Sequence, residues 1–148
     1  MLFAAMHAPD LLANEAKDIR DEADQYYQEL NFKKAYKLYY KLAKAGDRYS
    51  QDRVSYMYAN GEGKSADMTE AYAWSVVAAE SGKEEFVNKS TNLLLLTENK
   101  AAAEKRATKL VKKYGKDAQK VRTARLTSKE NNKRSGVCTG TRLACSRG

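Results

Sequence analysis

Few residues of this 148-residue chain could carry chemistry, and their spacing is wrong for it. The one histidine, His7, lies in an apolar N-terminal stretch, which leaves no base for a histidine relay and removes most zinc sites. Gly61-Glu62-Gly63-Lys64-Ser65 has the residue types of a phosphate loop. That loop needs Gly-x-x-x-x-Gly-Lys-Ser/Thr after a strand. Here the first glycine would fall at Tyr58, and the segment before it reads as helix. The carboxylate pairs Asp21/Glu22 and Glu84/Glu85 read as solvated helix charges. Cys138 and Cys145 enclose six residues, Thr-Gly-Thr-Arg-Leu-Ala, that permit a tight loop, so a disulfide is geometrically easy. Its formation would place the protein outside the cytosol. No catalytic centre, metal or cofactor is expected.

Charge is unevenly distributed. Residues 1–96 carry twelve Lys/Arg against fifteen Asp/Glu, a net of −3, and residues 97–148 carry fifteen against four, a net of +11. Lys105, Arg106, Lys109, Lys112, Lys113, Lys116, Lys120, Arg122 and Arg125 recur at helical spacing. Such a stripe is either a solvated face or a site for nucleic acid or another anionic surface. Tyr114 is the one aromatic interleaved for base stacking. The run Asn92–Leu96 is far shorter than the ~20 apolar residues of a membrane span. Residues 1–13 read either as the remnant of a signal peptide or as a frayed extension.

The remaining pattern is helical. A first helix is expected from about Asn14 to Leu30, with Asn14 as its cap and Ile19, Ala23, Tyr26, Tyr27 and Leu30 on one face. A second spans about Phe32–Ala45, with Ala35, Leu38, Tyr39 and Leu42 inward and Gly46 just past its end. A third covers about Tyr49–Asn60. Asp67 caps a fourth, about Met68–Ser81, with Glu70 completing a capping box, and Gly82 ends it. A fifth spans about Glu84–Leu96, and Thr97 caps a sixth that ends at Gly115. Residues 115–148 read as a basic flexible tail, with at most a short helix around Ala118–Leu126.

Two of these segments align with each other. Ala35, Tyr36, Ala43 and Gly46 stand 36 residues before Ala71, Tyr72, Ala79 and Gly82, and Leu38 stands 36 before Trp74. This is the period of a helix–turn–helix repeat whose units stack to share a core. The second unit, with Tyr58, Gly61, Gly63, Asp67, Ala71, Trp74, Ala78, Ala79 and Gly82 in order, resembles the Sel1-like repeat, a relative of the tetratricopeptide repeat. Ser50 stands where that pattern has alanine. Asn14–Gly46 looks like a degenerate unit with a short turn, and residues 83–114 like a closing helix pair.

The resemblance implies an all-α chain, a short α-solenoid of antiparallel helix pairs over residues 14–114. It also implies a non-enzymatic adaptor that binds a protein or peptide on its curved surface. Of the motif residues, Trp74, Tyr58 and Ala71 are expected in the repeat core. Tyr36, Tyr40, Arg53 and Tyr72 are then the candidate partner contacts, and a homodimer could complete so short an array. The cysteine segment is similar to a Thr-Gly-Ser/Thr-Arg element in small exported bacterial proteins, which points to the periplasm, with the cytoplasm as the alternative. The alternative function is nucleic-acid or anionic-surface binding through the basic C-terminal third, and export would make nucleic acid an unexpected partner.

Overall fold

Helical periodicity and left-handed glycines together divide the chain. A computed structural model describes the backbone of residues 8–134 and the side chains of residues 14–125. Residues 1–7, Cys138 and Cys145, and with them the expected disulfide, lie outside the described residues. Among the described residues the chain forms seven helices and no strand: α1 (Ala8–Gln28), α2 (Phe32–Ala45), α3 (Arg48–Asn60), α4 (Met68–Ala79), α5 (Glu84–Leu96), α6 (Lys100–Tyr114) and α7 (Lys116–Arg134). None of them is long and apolar enough to cross a membrane.

The second and fifth helices have the expected bounds, and the ends of the others differ for local reasons. The first begins six residues before Asn14, which is therefore inside the helix and caps nothing. Pro9 stands in its first turn, where a missing N–H costs no hydrogen bond. Leu30 adopts φ 59° and is 73% exposed, so it leaves the apolar face expected of it. Asp47 caps α3 by accepting from the Ser50 amide at 2.8 Å. Asp67 caps α4 by accepting from the Glu70 amide at 3.0 Å. The capping box does not close, because Glu70 turns to Arg106, to which it is bound at 2.6 and 3.2 Å. Thr97 is not the cap of α6. Its hydroxyl donates back to the Leu93 carbonyl at 2.7 Å, and Asn99 caps the helix instead, accepting from the Ala102 amide at 3.0 Å.

Neighbouring helices pack in sequence order, α1 on α2, α2 on α3, α3 on α4 and α4 on α5. α4 also packs on α6, and α6 meets α2 and α7. The core gathers Ala35, Tyr39 and Ala43 of α2, Val54 and Met57 of α3, Ala73, Trp74 and Val77 of α4, and Ala107 and Leu110 of α6. Trp74 is fully enclosed. Its ring lies edge-on to Tyr40 at 5.6 Å and stacks on Tyr114 at 5.4 Å. Burying such a ring removes roughly 150–250 Å² from water, on the order of 4–6 kcal/mol of transfer free energy. Alanines 71, 73 and 78, all fully buried, keep the backbones close enough to enclose it.

The last helix replaces the short segment expected from sequence. It is fastened at its start. The Lys116 amide donates to Glu80 at 2.7 Å, and Arg122 donates to the carbonyls of Lys44 at 3.0 Å and Lys113 at 2.6 Å. One cation of the C-terminal basic stripe is thus used to close the ends of α2 and α6.

Gly61 and Gly63 both hold left-handed backbone, at φ 73° and 74°. At Gly63 a Cβ would stand 2.4 Å from the Phe32 carbonyl oxygen, so the loop can lie on α2 only as glycine. Gly82 has a similar φ of 78° but open space around it. Gly82→Ala should therefore cost about 1 kcal/mol of stability, and Gly63→Ala about 3 kcal/mol, since it adds a backbone clash to the strained φ. Urea unfolding of the two variants measures both, and equal losses would show that the loop does not press on α2.

Candidate functional site

Where the 61–67 loop lies on the start of α2, it leaves an open groove of about 650 Å³. Tyr36 and Tyr40 line it from α2, and Gly63 and Lys64 line it from the loop. The positions follow from the helix period. Tyr36 and Tyr40 are four residues apart and stack on each other, with centroids 5.5 Å apart. Lys33, Lys37 and Lys41 form the adjacent stripe of α2, and all three are exposed.

The tyrosines are largely engaged within the protein. Tyr36 is 7% exposed, its hydroxyl lies 2.8 Å from that of Tyr58, and the two rings meet edge to face. Its place in the core corrects the expectation that Tyr36 stands clear of the packing. Tyr40 is half-buried, with one face on Tyr36 and its ring against Trp74. Burial pushes the phenol of Tyr36 far above its ordinary range, and the bond to Tyr58 adds to the shift. Tyr40 is raised as well, by burial first and then by the nearby Tyr114.

Among the described residues the cations beside these rings have no carboxylate partner. Lys44 Nζ sits 4.7 Å from the Tyr40 centroid, and Lys64 Nζ sits 5.7 Å from that of Tyr36. α2 carries five lysines and no acidic residue. None of them joins an ion pair among the described residues. Glu70, whose charge acts on Tyr36 and Tyr40, is held by Arg106 in a two-point bond.

The other two candidate contacts lie elsewhere. Arg53 is half-buried, with its guanidinium 4.1 Å from the Tyr27 centroid and close to the rings of Tyr39 and Tyr56. Beside it, Asp24 accepts from the hydroxyl of Tyr39 and, at 2.9 Å, from that of Tyr49. This cluster ties α1, α2 and α3 together. Tyr72 is half-buried on α4, where it feels the charge of Glu104 on α6.

The motif residues divide between core and turn. Ala71, Trp74 and Ala78 are fully buried, whereas Tyr58 and Ala79 are half-buried. Gly61, Gly63 and Gly82 take left-handed turns, and Asp67 is a cap. Among the described residues no cluster of His, Cys, Asp and Glu could hold a metal ion. The segment Gly61–Ser65 follows a helix, α3, rather than the strand a phosphate loop requires.

Sequence reasoning passed over Lys33, Lys37 and Lys41, and weighed Lys64 only as the lysine of a phosphate loop. The spacing of the first three, every fourth residue with no intervening acid, was the available signal. The chain matches no protein-family model and no curated protein at a significant level.

The buried phenols make stability depend on alkaline pH. Tyr27, desolvated and donating to Glu62 at 2.6 Å, has a pKa pushed up from 10.0 to about 12, and Tyr36 and Tyr39 are pushed higher still. A raised phenol pKa means that the folded chain retains protons the unfolded chain releases. The stabilisation is complete below pH ~10 and declines as the pH rises from there through the folded values. Phenolate absorbance should accordingly rise in two stages. The later stage belongs to the buried set and coincides with loss of helical circular dichroism. A single stage near pH 10 with the helices intact would contradict the burial described.

Proposed function

We propose that the chain is a helical-repeat interaction module related to the Sel1-like and tetratricopeptide repeats. In this reading it is a short solenoid of antiparallel helix pairs, without chemistry of its own, that holds a protein or peptide partner against α2 and the 61–67 loop. The observation that carries the reading is the open groove beside Tyr40, whose exposed lysines pair with no carboxylate among the described residues. The equivalence of α2 and α4 supports the repeat. They lie 36 residues apart and bury Ala35 and Ala71 completely, and the segments end at Gly46 and Gly82 with φ 104° and 78°. The cell envelope is the proposed location. It rests on the apolar N-terminal stretch and the C-terminal cysteine pair of the sequence.

A photo-crosslinking amino acid placed at position 40, and separately at position 83, tests the reading in the host cell. Lys83 is exposed and remote from the groove residues in sequence, with its side chain 69% accessible. A discrete protein adduct at position 40 that is missing at position 83 is the expected result. No protein adduct at position 40, or the same adducts at both, would reject the groove as the interaction face.

A further inference from the structure

We infer that the groove takes an extended acidic peptide, with alternate Asp or Glu side chains seated along the lysines of α2. This rests on the interaction-module reading and names the chemistry of the partner.

The first support is charge. Lys33, Lys37 and Lys41 are exposed, Lys64 stands across the groove on the loop, and no carboxylate among the described residues pairs with any of the four. The segment before residue 97 is net acidic, so this cationic patch sits within an otherwise acidic part of the molecule. Elsewhere in that segment most basic side chains are paired, Lys17 with Asp21, Arg20 with Asp47, Arg48 with Glu80, Lys83 with Glu85 and Lys89 with Asp52, while Arg53 lies against tyrosine rings. Unpaired like charges that repel one another are relieved when an anion binds.

The second support is spacing. Lysines four apart on a helix rise by about 6 Å. Side chains on one face of an extended peptide recur every second residue, about 6.7 Å apart. Three lysines therefore meet three alternate carboxylates with little adjustment from flexible side chains.

The third support separates a peptide from a nucleic acid. A single strand would bind this groove by stacking bases on its aromatics. Tyr36 is almost fully buried, and Tyr40 has Tyr36 on one side and Lys44 against its ring. The rings are thus taken, whereas Lys33, Lys37, Lys41 and Lys64 have no carboxylate partner among the described residues. Carboxylates need only the cations.

The experiment is fluorescence-anisotropy binding by the full chain at two salt concentrations. The probes are a labelled peptide with glutamate at alternate positions, a peptide of the same composition with its glutamates in one block, and a single-stranded oligothymidylate of equal charge. The variants are Lys37→Gln/Lys41→Gln and, as a control of equal charge loss, Lys83→Gln/Lys120→Gln. All four positions are exposed, and circular dichroism checks that both variants are folded. The alternating peptide should bind better than the block peptide and the oligonucleotide. The groove variant should lose about fivefold in affinity for it, at a factor of a few per exposed charge pair, and the control less than twofold.

Equal losses in the two variants would mean that net charge alone binds, and would overturn the inference. So would tighter binding of the oligonucleotide, which would make nucleic acid the ligand, or no binding of the alternating peptide at physiological salt. If these results accompany a specific protein adduct at position 40, the interaction module stands and only the acidic partner fails. If the adduct is missing too, both fail.

Discussion

The enclosure of Trp74 is the constraint on which the rest of the structure depends. Its ring has to be covered by Tyr40 of α2 on one side and Tyr114 of α6 on the other, so helices far apart in sequence must converge on α4. That convergence fixes the small residues. Ala71, Ala73 and Ala78 are fully buried because anything larger would hold the neighbouring helices away from the ring. It also fixes Tyr40, which cannot move outward without uncovering the indole. The groove beside Tyr40 is therefore held by the core rather than by its own surface contacts.

A division of labour follows on α2. Its inward stripe, Ala35, Tyr39, Leu42 and Ala43, packs against neighbouring helices, and its tyrosines 36 and 40 form an aromatic seam with Tyr58 and Trp74. The lysines stand outside that seam. Long, well-hydrated side chains on a rigid helix present charge at fixed intervals without contributing much to stability. The acidic-peptide reading uses that property: specificity would come from the spacing of charges on a backbone that the core keeps still.

Much of this was legible from periodicity. The bounds of α2 could be read because an apolar 3.6-residue pattern met an unambiguous stop at Gly46, and those of α5 because it fills the interval between the Gly82 turn and Thr97. The errors have tertiary causes. Thr97 and Asn99 are both good caps two residues apart. The choice between them came from the Thr97 hydroxyl bonding back to the Leu93 carbonyl in a buried position. Glu70 stood at the right place for a capping box. A two-point, charge-assisted bond to Arg106, 36 residues away, outweighs a single bond to a backbone amide. Tyr36 looked dispensable to packing because its partner Tyr58 is 22 residues distant. The lysine spacing on α2 was visible in the sequence. The lack of an ion-pair partner among the described residues was not, because it depends on which helices surround α2.

The fastening of α7 bears on the order in which the chain is made. The carbonyl of Lys44, at the end of α2, is closed by Arg122, 78 residues later. Trp74 likewise waits 40 residues for Tyr114 to cover its second face. A chain leaving the ribosome at roughly 5–20 residues per second builds α1 to α4 several seconds before either partner exists. Over that interval the indole is half-covered and the end of α2 lacks its distant donor. The nascent protein thus carries an exposed aromatic surface whose lifetime is set by translation rather than by folding, and completing the last two helices is what removes it.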